Sequence, residues 1–170
     1  MNIFENECEI NENTVVTLGK FDGLHEGHQR LIEIAVEEAQ KKGYKSLVYT
    51  FNQNPKNVLY GEKITNLMSK EEKIETLERM GIDYIFFQDF TYDFSKMSPI
   101  NFVKRVIIKK LKAKIVVVGF NYKFGKDAKG DVELLRMLGE KFGFEVKIIM
   151  PIERNGEIIS SSMLRKEIIK

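Results

Sequence analysis

Thr17-Leu-Gly-Lys-Phe-Asp-Gly-Leu-His-Glu-Gly-His28 is the stretch on which the reading of this chain turns. It overlaps the end of the β-rich run Val15-Val-Thr-Leu18 and leads into residues 27–42, where Leu31, Ile32, Ala35, Val36 and Ala39 recur at helical spacing. A strand, a glycine-containing loop and a helix are therefore expected in that order. The chain has two histidines, His25 and His28, and both fall at this junction. The free N–H groups and the positive dipole end of a helix N-terminus favour a phosphate there, and imidazole donors would reinforce it. Gly19, Gly23 and Gly27 lack a Cβ and let the backbone approach a ligand closely. The plain structural alternative is an ordinary Asp22-Gly23 turn with surface histidines. A metal site is the poorer reading: two nitrogens three residues apart have no third histidine to join them, and the single cysteine is Cys8.

Outward from this loop, Gly43 closes the helix and Lys45-Ser-Leu-Val-Tyr-Thr-Phe51 reads as a second strand before the polar turn Asn52-Gln-Asn-Pro55. Ser69-Lys-Glu-Glu72 has capping-box spacing, and Ile74, Leu77 and Met80 carry an apolar stripe to Gly81, ahead of a third strand over 82–87. Beyond the aromatic loop 88–98, Pro99 opens a helix to about Lys112, followed by the apolar strand Ile115-Val-Val-Val-Gly119. Asp131 caps a helix to Phe142, residues 144–150 form a fifth strand, and 160–170 close as a short helix. This alternation predicts an α/β fold, a Rossmann-like doubly wound parallel sheet with ligands at the carboxyl ends of its strands.

Bulk properties narrow the function classes. The 170 residues suit one domain over 1–170, and 43% hydrophobic with 31% charged residues is an ordinary globular composition. No apolar run reaches the length of a membrane span, and the acidic N-terminus lacks the order of a secretory signal. A cytoplasmic location without membrane partners is expected. A formal net charge of +2 with interspersed signs argues against a nucleic-acid partner. The lysines between Lys104 and Lys114 read as the solvated face of an amphipathic helix.

Two further segments carry candidate chemistry. Ile158-Ile-Ser-Ser-Ser-Met-Leu-Arg165 puts three hydroxyls where the last helix would begin, with a guanidinium one turn in; that is a second anion site, or plain capping by Ser160 or Ser161. Residues 118–131, Val-Gly-Phe-Asn-Tyr-Lys-Phe-Gly-Lys-Asp-Ala-Lys-Gly-Asp, leave the fourth strand with aromatics, lysines and glycines that suit a flat ring beside an anion, or else a surface loop.

The histidine loop resembles the first signature of the HxGH nucleotidyltransferases, and Ile159-Ser-Ser-Ser-Met-Leu-Arg165 resembles the second. With Gly119-Phe-Asn-Tyr-Lys-Phe-Gly125 between them, the three segments look like the FMN adenylyltransferase (FAD synthetase) module of the bacterial bifunctional riboflavin kinase/FAD synthetase family. The resemblance implies transfer of AMP from ATP, with Mg2+, to FMN by direct in-line attack, giving FAD and diphosphate. It implies His25, His28, Asn121 and Arg165 as catalytic residues. Gly19, Lys20, Phe21, Gly27, His28, Gly119, Ser161, Ser162 and Arg165 would meet ATP, and Phe51, Asn54, Pro55, Asn121, Tyr122 and Phe124 the flavin. Asn54 stands where the family usually has histidine. No metal ligands are expected from the protein itself. The chain ends at Lys170, where the resembled proteins continue, so no riboflavin kinase domain is expected and a separate kinase would supply FMN. The alternatives are a sister activity on phosphopantetheine, nicotinamide mononucleotide or a cytidylyl acceptor, and a non-catalytic flavin or nucleotide sensor.

Overall fold

Val, Ile, Leu and aromatic residues fill most of the central strands, as a strand buried on both faces requires, and the buried Thr14, Ser46 and Thr50 among them are hydrogen-bonded. In the computed structural model, which describes residues 1–151, 153–154 and 157–158, β2 (Thr14–Leu18) is buried along its whole length. Its neighbours are β3 (Lys45–Phe51) and β5 (Ala113–Gly119), each with a nearly continuous buried run. The other strands are β1 (Asn2–Glu5), β4 (Tyr84–Gln88) and β6 (Glu145–Ile149). All pairings in this six-stranded sheet are parallel, in the order β1-β4-β3-β2-β5-β6. The expected doubly wound parallel sheet is thus observed, and a small antiparallel pair, β7 (Glu153–Arg154) and β8 (Glu157–Ile158), lies outside it.

Helices cover both faces. On one, α1 (Glu26–Lys42) and α3 (Lys70–Arg79) bury Leu31, Ile32, Ala35 and Leu77 against Val15, Val48, Ile85 and Val117. On the other lie α5 (Pro99–Phe102) and its continuation, and α6 (Val132–Phe142), packing Phe102, Val106, Leu111 and Leu135 against Val16, Leu47, Phe86 and Val118. Residues 99–112 do continue as a helix, but Val103–Lys110 winds as a π-helix, with Leu111 N donating to Val106 O at 2.9 Å. That wider turn lets Val103, Val106, Ile107 and Leu111 all reach the core.

Local signals set the element ends. Ser69 Oγ accepts from Glu72 N at 3.1 Å, Asp131 Oδ1 from Leu134 N at 2.9 Å, and Gly43 closes α1 in the left-handed region at φ 72°. Two short helices occupy segments expected to be turns or loops, α2 (Pro55–Tyr60) and α4 (Tyr92–Ser95). Strand β1 is not legible in the sequence either, because four residues with only Phe4 half-buried carry no readable period; it is recruited by the open edge of β4. Among the described residues no helix is long and apolar enough to cross a membrane. The helix expected over 160–170 lies outside the described residues.

The strand order reverses between β2 and β5: the chain moves from β2 to β3 and β4 on one side, and to β6 on the other. Loops leaving the carboxyl ends of β2 and β5 border that crevice, where open α/β sheets bind ligands.

Candidate active site

The loop after β2 doubles back through an unusual run of left-handed residues, with φ 50° at Phe21, 77° at Gly23 and 41° at Leu24. Such angles cost a non-glycine residue about 1 kcal/mol or more. Phe21 and Leu24 meet that cost by inserting their side chains into the α1 side of the core, where both are buried. The phenyl ring of Phe21 therefore supports the loop from below, and only its backbone is left to face a nucleotide.

His25 caps α1. Its Nδ1 accepts from Gly27 N at 3.1 Å and His28 N at 3.4 Å, which leaves the proton of the neutral ring on Nε2. The His28 ring stacks on it with centroids 3.7 Å apart, and the Phe21 ring meets His28 edge-on at 5.4 Å. A Cβ on Gly27 would lie 2.9 Å from His25 Cε1. The close approach that requires glycine at this position is thus made by the neighbouring imidazole, where the sequence reading assigned it to a ligand.

Burial lowers the pKa of His25, and burial, then His25 and then the Lys73 ammonium, push His28 down to about 3. Both rings are neutral near pH 7 and serve as hydrogen-bonding groups beside the helix N-terminus, not as proton stores. His28 Nδ1 is buried and has no partner among the described residues.

Beside the pair lies a polar pocket. Asp22 Oδ1 accepts from Leu67 N at 2.7 Å, and a Cβ on Gly23 would meet Leu67 Cδ1 at 2.8 Å, so the segment before α3 is seated on the histidine loop. The Lys20 carbonyl accepts from Thr50 Oγ1 at 2.9 Å and from Lys73 Nζ at 3.1 Å. The pocket between these elements is lined by Lys20, Phe51, Asn54, Asn66, Lys70 and Lys73, among others. The last three escaped the sequence reading: Lys70 lies within a capping box and Lys73 directly after it, a pattern that registers as a helix start and says nothing of the direction in which its lysines point. Lys70 is held by an ion pair with Glu5, by Asn52 Oδ1 at 2.8 Å and over the Phe87 ring at 4.2 Å.

Phe51 connects this pocket to a cluster of packed aromatic rings. Its ring meets Phe90 at 5.0 Å and Phe94 at 5.7 Å; Phe94 meets Phe102 at 6.4 Å, and Phe102 meets Phe124 at 5.8 Å. Tyr122 stacks on Phe124 at 5.7 Å, and burial raises the Tyr122 phenol well above its ordinary value. Phe90, Phe94 and Phe102 join the expected Phe51, Tyr122 and Phe124 in this cluster, in which Phe102 and Phe124 are buried. Asn54 uses its side chain to cap α2, accepting from Lys56 N at 3.0 Å, with Pro55 in the first helical turn.

The loop after β5 is folded rather than open. Phe124 and Gly130 exchange backbone hydrogen bonds of 3.1 and 2.8 Å, and Lys126 N donates to Met97 O at 2.8 Å. Gly125, at φ 78°, lies so close to α5 that a Cβ would meet Pro99 at 2.6 Å. Asn121 stands exposed at the head of this loop beside the half-buried Gly119. Ser161, Ser162 and Arg165 lie outside the described residues. Among those described, no group of three or more His, Cys, Asp or Glu side chains converges to hold a metal ion.

Comparisons with known proteins place the chain in a family. Residues 7–163 match the family model described as FAD synthetase. A bifunctional riboflavin kinase/FMN adenylyltransferase of Buchnera aphidicola subsp. Acyrthosiphon pisum is 35% identical over 159 residues, covering 93% of this chain and 51% of that protein. The chain thus spans about half the length of the curated relatives it matches. Among solved structures, a Streptococcus pneumoniae protein described as a macrolide-efflux protein superposes with a TM-score of 0.87 at 32% identity, over 99% of this chain and 56% of that one. Pantothenate synthetase from Thermus thermophilus, with a TM-score of 0.60 at 17% identity over 98% of this chain and 70% of that one, shares the fold. With a family model matching nearly its whole length and a histidine-bearing helix start at the switch point of the sheet, the chain belongs to the FAD synthetase family.

Proposed function

We propose that the chain transfers AMP from ATP to FMN, giving FAD and diphosphate. The observation that carries this reading is the sharing of one sheet edge by a neutral, stacked histidine pair at a helix N-terminus and a polar pocket whose Phe51 stands against a cluster of aromatic rings. A phosphate site and a ring site so joined suit an acceptor made of a flat ring and a phosphate. The relatives named above carry FMN adenylyltransferase in their names, and they support the same assignment.

In this reading a phosphate oxygen of FMN attacks the α-phosphorus of ATP in line. The bond to the bridging oxygen breaks, and diphosphate leaves with that electron pair. The nucleophile is already an anion, so no base is needed; alignment and neutralisation of charge supply the rate. That demand fits imidazoles held neutral. His28 lies nearest the α-phosphoryl group, with His25 donating from Nε2 to a phosphate oxygen. Lys20, Gly19, Gly27, Gly119 and the backbone of Phe21 border the nucleotide, and Asn121 faces both phosphates. Ser161, Ser162 and Arg165 hold the β and γ positions. Phe51, Asn54, Pro55, Tyr122 and Phe124 form the flavin side. The donors assembled here are nitrogen groups suited to phosphate, not a metal ligand set, so Mg2+ enters as part of the Mg-ATP substrate.

The test is incubation of the purified chain with Mg-ATP and FMN, following FAD and diphosphate by chromatography. FAD and diphosphate in equal amounts are expected. Turnover of phosphopantetheine, nicotinamide mononucleotide or CTP in parallel reactions, with none of FMN, would replace this reading with a sister activity. Binding of FMN or ATP without turnover would leave the sensor.

A further inference from the structure

Lys73 projects from the first turns of α3 into the wall between the histidine pair and the pocket. It is half-buried, one of its N–H groups donates to the Lys20 carbonyl, and it takes part in none of the ion pairs among the described residues. A partly desolvated ammonium is unfavourable to the extent that its charge is uncompensated, and an arriving anion lessens that cost. Burial, and then Lys70, bring its pKa down to about 8, so the charge is retained near pH 7.

The position selects which anion. Lys73 acts electrostatically on His28 on one side and shares the pocket lining with Phe51 on the other, and Phe51 packs against Phe90. A ligand with its ring against Phe51 and its phosphate toward His28 would bring the phosphate past Lys73. Asn54 and Asn66 line the same pocket, and the Asp22 carboxylate there accepts from Leu67 N. We propose that Lys73 binds the phosphate of the flavin acceptor and presents it to the histidine pair, a role that rests on the adenylyl-transfer reading above. Its N–H bond to Lys20 O keeps the ammonium aimed, while the remaining N–H groups serve the ligand.

The experiment compares Lys73→Met and Lys73→Arg with the unaltered chain, titrating FMN and riboflavin by flavin fluorescence and measuring KM for FMN and for ATP. Riboflavin has the ring without the phosphate. In K73M, FMN should bind about tenfold more weakly, the loss of one charge-assisted contact, while riboflavin binding stays unchanged. KM should rise for FMN more than for ATP, and K73R should recover most of the FMN affinity. Equal weakening of both flavins would assign Lys73 a structural role and overturn the proposal, as would unchanged FMN binding or a KM effect on ATP alone. Failure of the unaltered chain to form FAD would sink the adenylyl-transfer reading. FAD formation with an unmoved FMN-to-riboflavin ratio in K73M would sink the Lys73 assignment alone.

Discussion

Gly27 sits under the His25 ring, and its missing Cβ is what allows one imidazole to cap α1 while stacking on the other. Gly27→Ala should displace His25, lose the cap at about 1 kcal/mol, and lower FAD formation more than tenfold; denaturant unfolding and steady-state rates on one preparation would check both. His28→Ala should leave the far-ultraviolet circular dichroism unchanged and lower the rate by about two to three orders of magnitude. A variant of normal activity would remove His28 from the chemistry. The depressed pKa of His28 also predicts a pH dependence of stability. Between its unfolded value near 6.5 and its folded value of about 3, the unfolded chain binds a proton that the folded chain refuses, so stability falls as pH is lowered through this window. Urea unfolding at pH 7, 6, 5 and 4 should show that slope, and His28→Gln should flatten it.

At the scale of elements, α3 does more than cover the sheet. Its cap, Ser69, stands directly before Lys70, and Lys73 follows one turn later, so the start of the helix fixes where both cations enter the pocket. Ser69→Ala should cost about 1 kcal/mol of stability and raise KM for FMN through fraying of that turn. The segment before α3 depends in turn on Asp22, whose carboxylate holds Leu67 N. The sequence made the Ser69 cap legible from its spacing to Glu72, but not its consequence for the site. A helical period states which residues share a face, whereas the neighbour that face meets is set by other parts of the chain.

For the molecule as a whole, the N-terminus is tied to the binding edge from the far side of the sheet. Asn6 donates to Asp89 Oδ2 at 2.9 Å and accepts from Asp89 N at 2.7 Å, while Glu5 pairs with Lys70. Asn6 holds φ 63°, an angle that asparagine tolerates better than alanine. Asn6→Ala should lower global stability by about 1–3 kcal/mol with little change in kcat at 25 °C, measured by thermal unfolding beside initial rates. A large loss of kcat in a folded variant would mean that β1 helps to shape the pocket.

The loop from Thr17 to His28 is legible as a strand, a turn and a phosphate-facing helix start, and each of those is a local property. Strand and helix periods, Ser69 and Asp131 as caps, Gly43 as a stop and the crowded pair of histidines all act within a few residues, which is why the sequence alone determined the α/β alternation and the position of the histidine pair. Tertiary structure decided what depends on distant partners. The burial of Phe21, the contact that demands glycine at Gly27, the recruitment of Asn2–Glu5 by β4 and the entry of Lys73 beside Lys20 arise from packing between side chains and segments that no local period describes. Spacing within one segment carries no information about which other segment will fill its open side, and it is the meeting of the loops after β2 and β3 with α3 that makes the polar pocket beside the histidine pair.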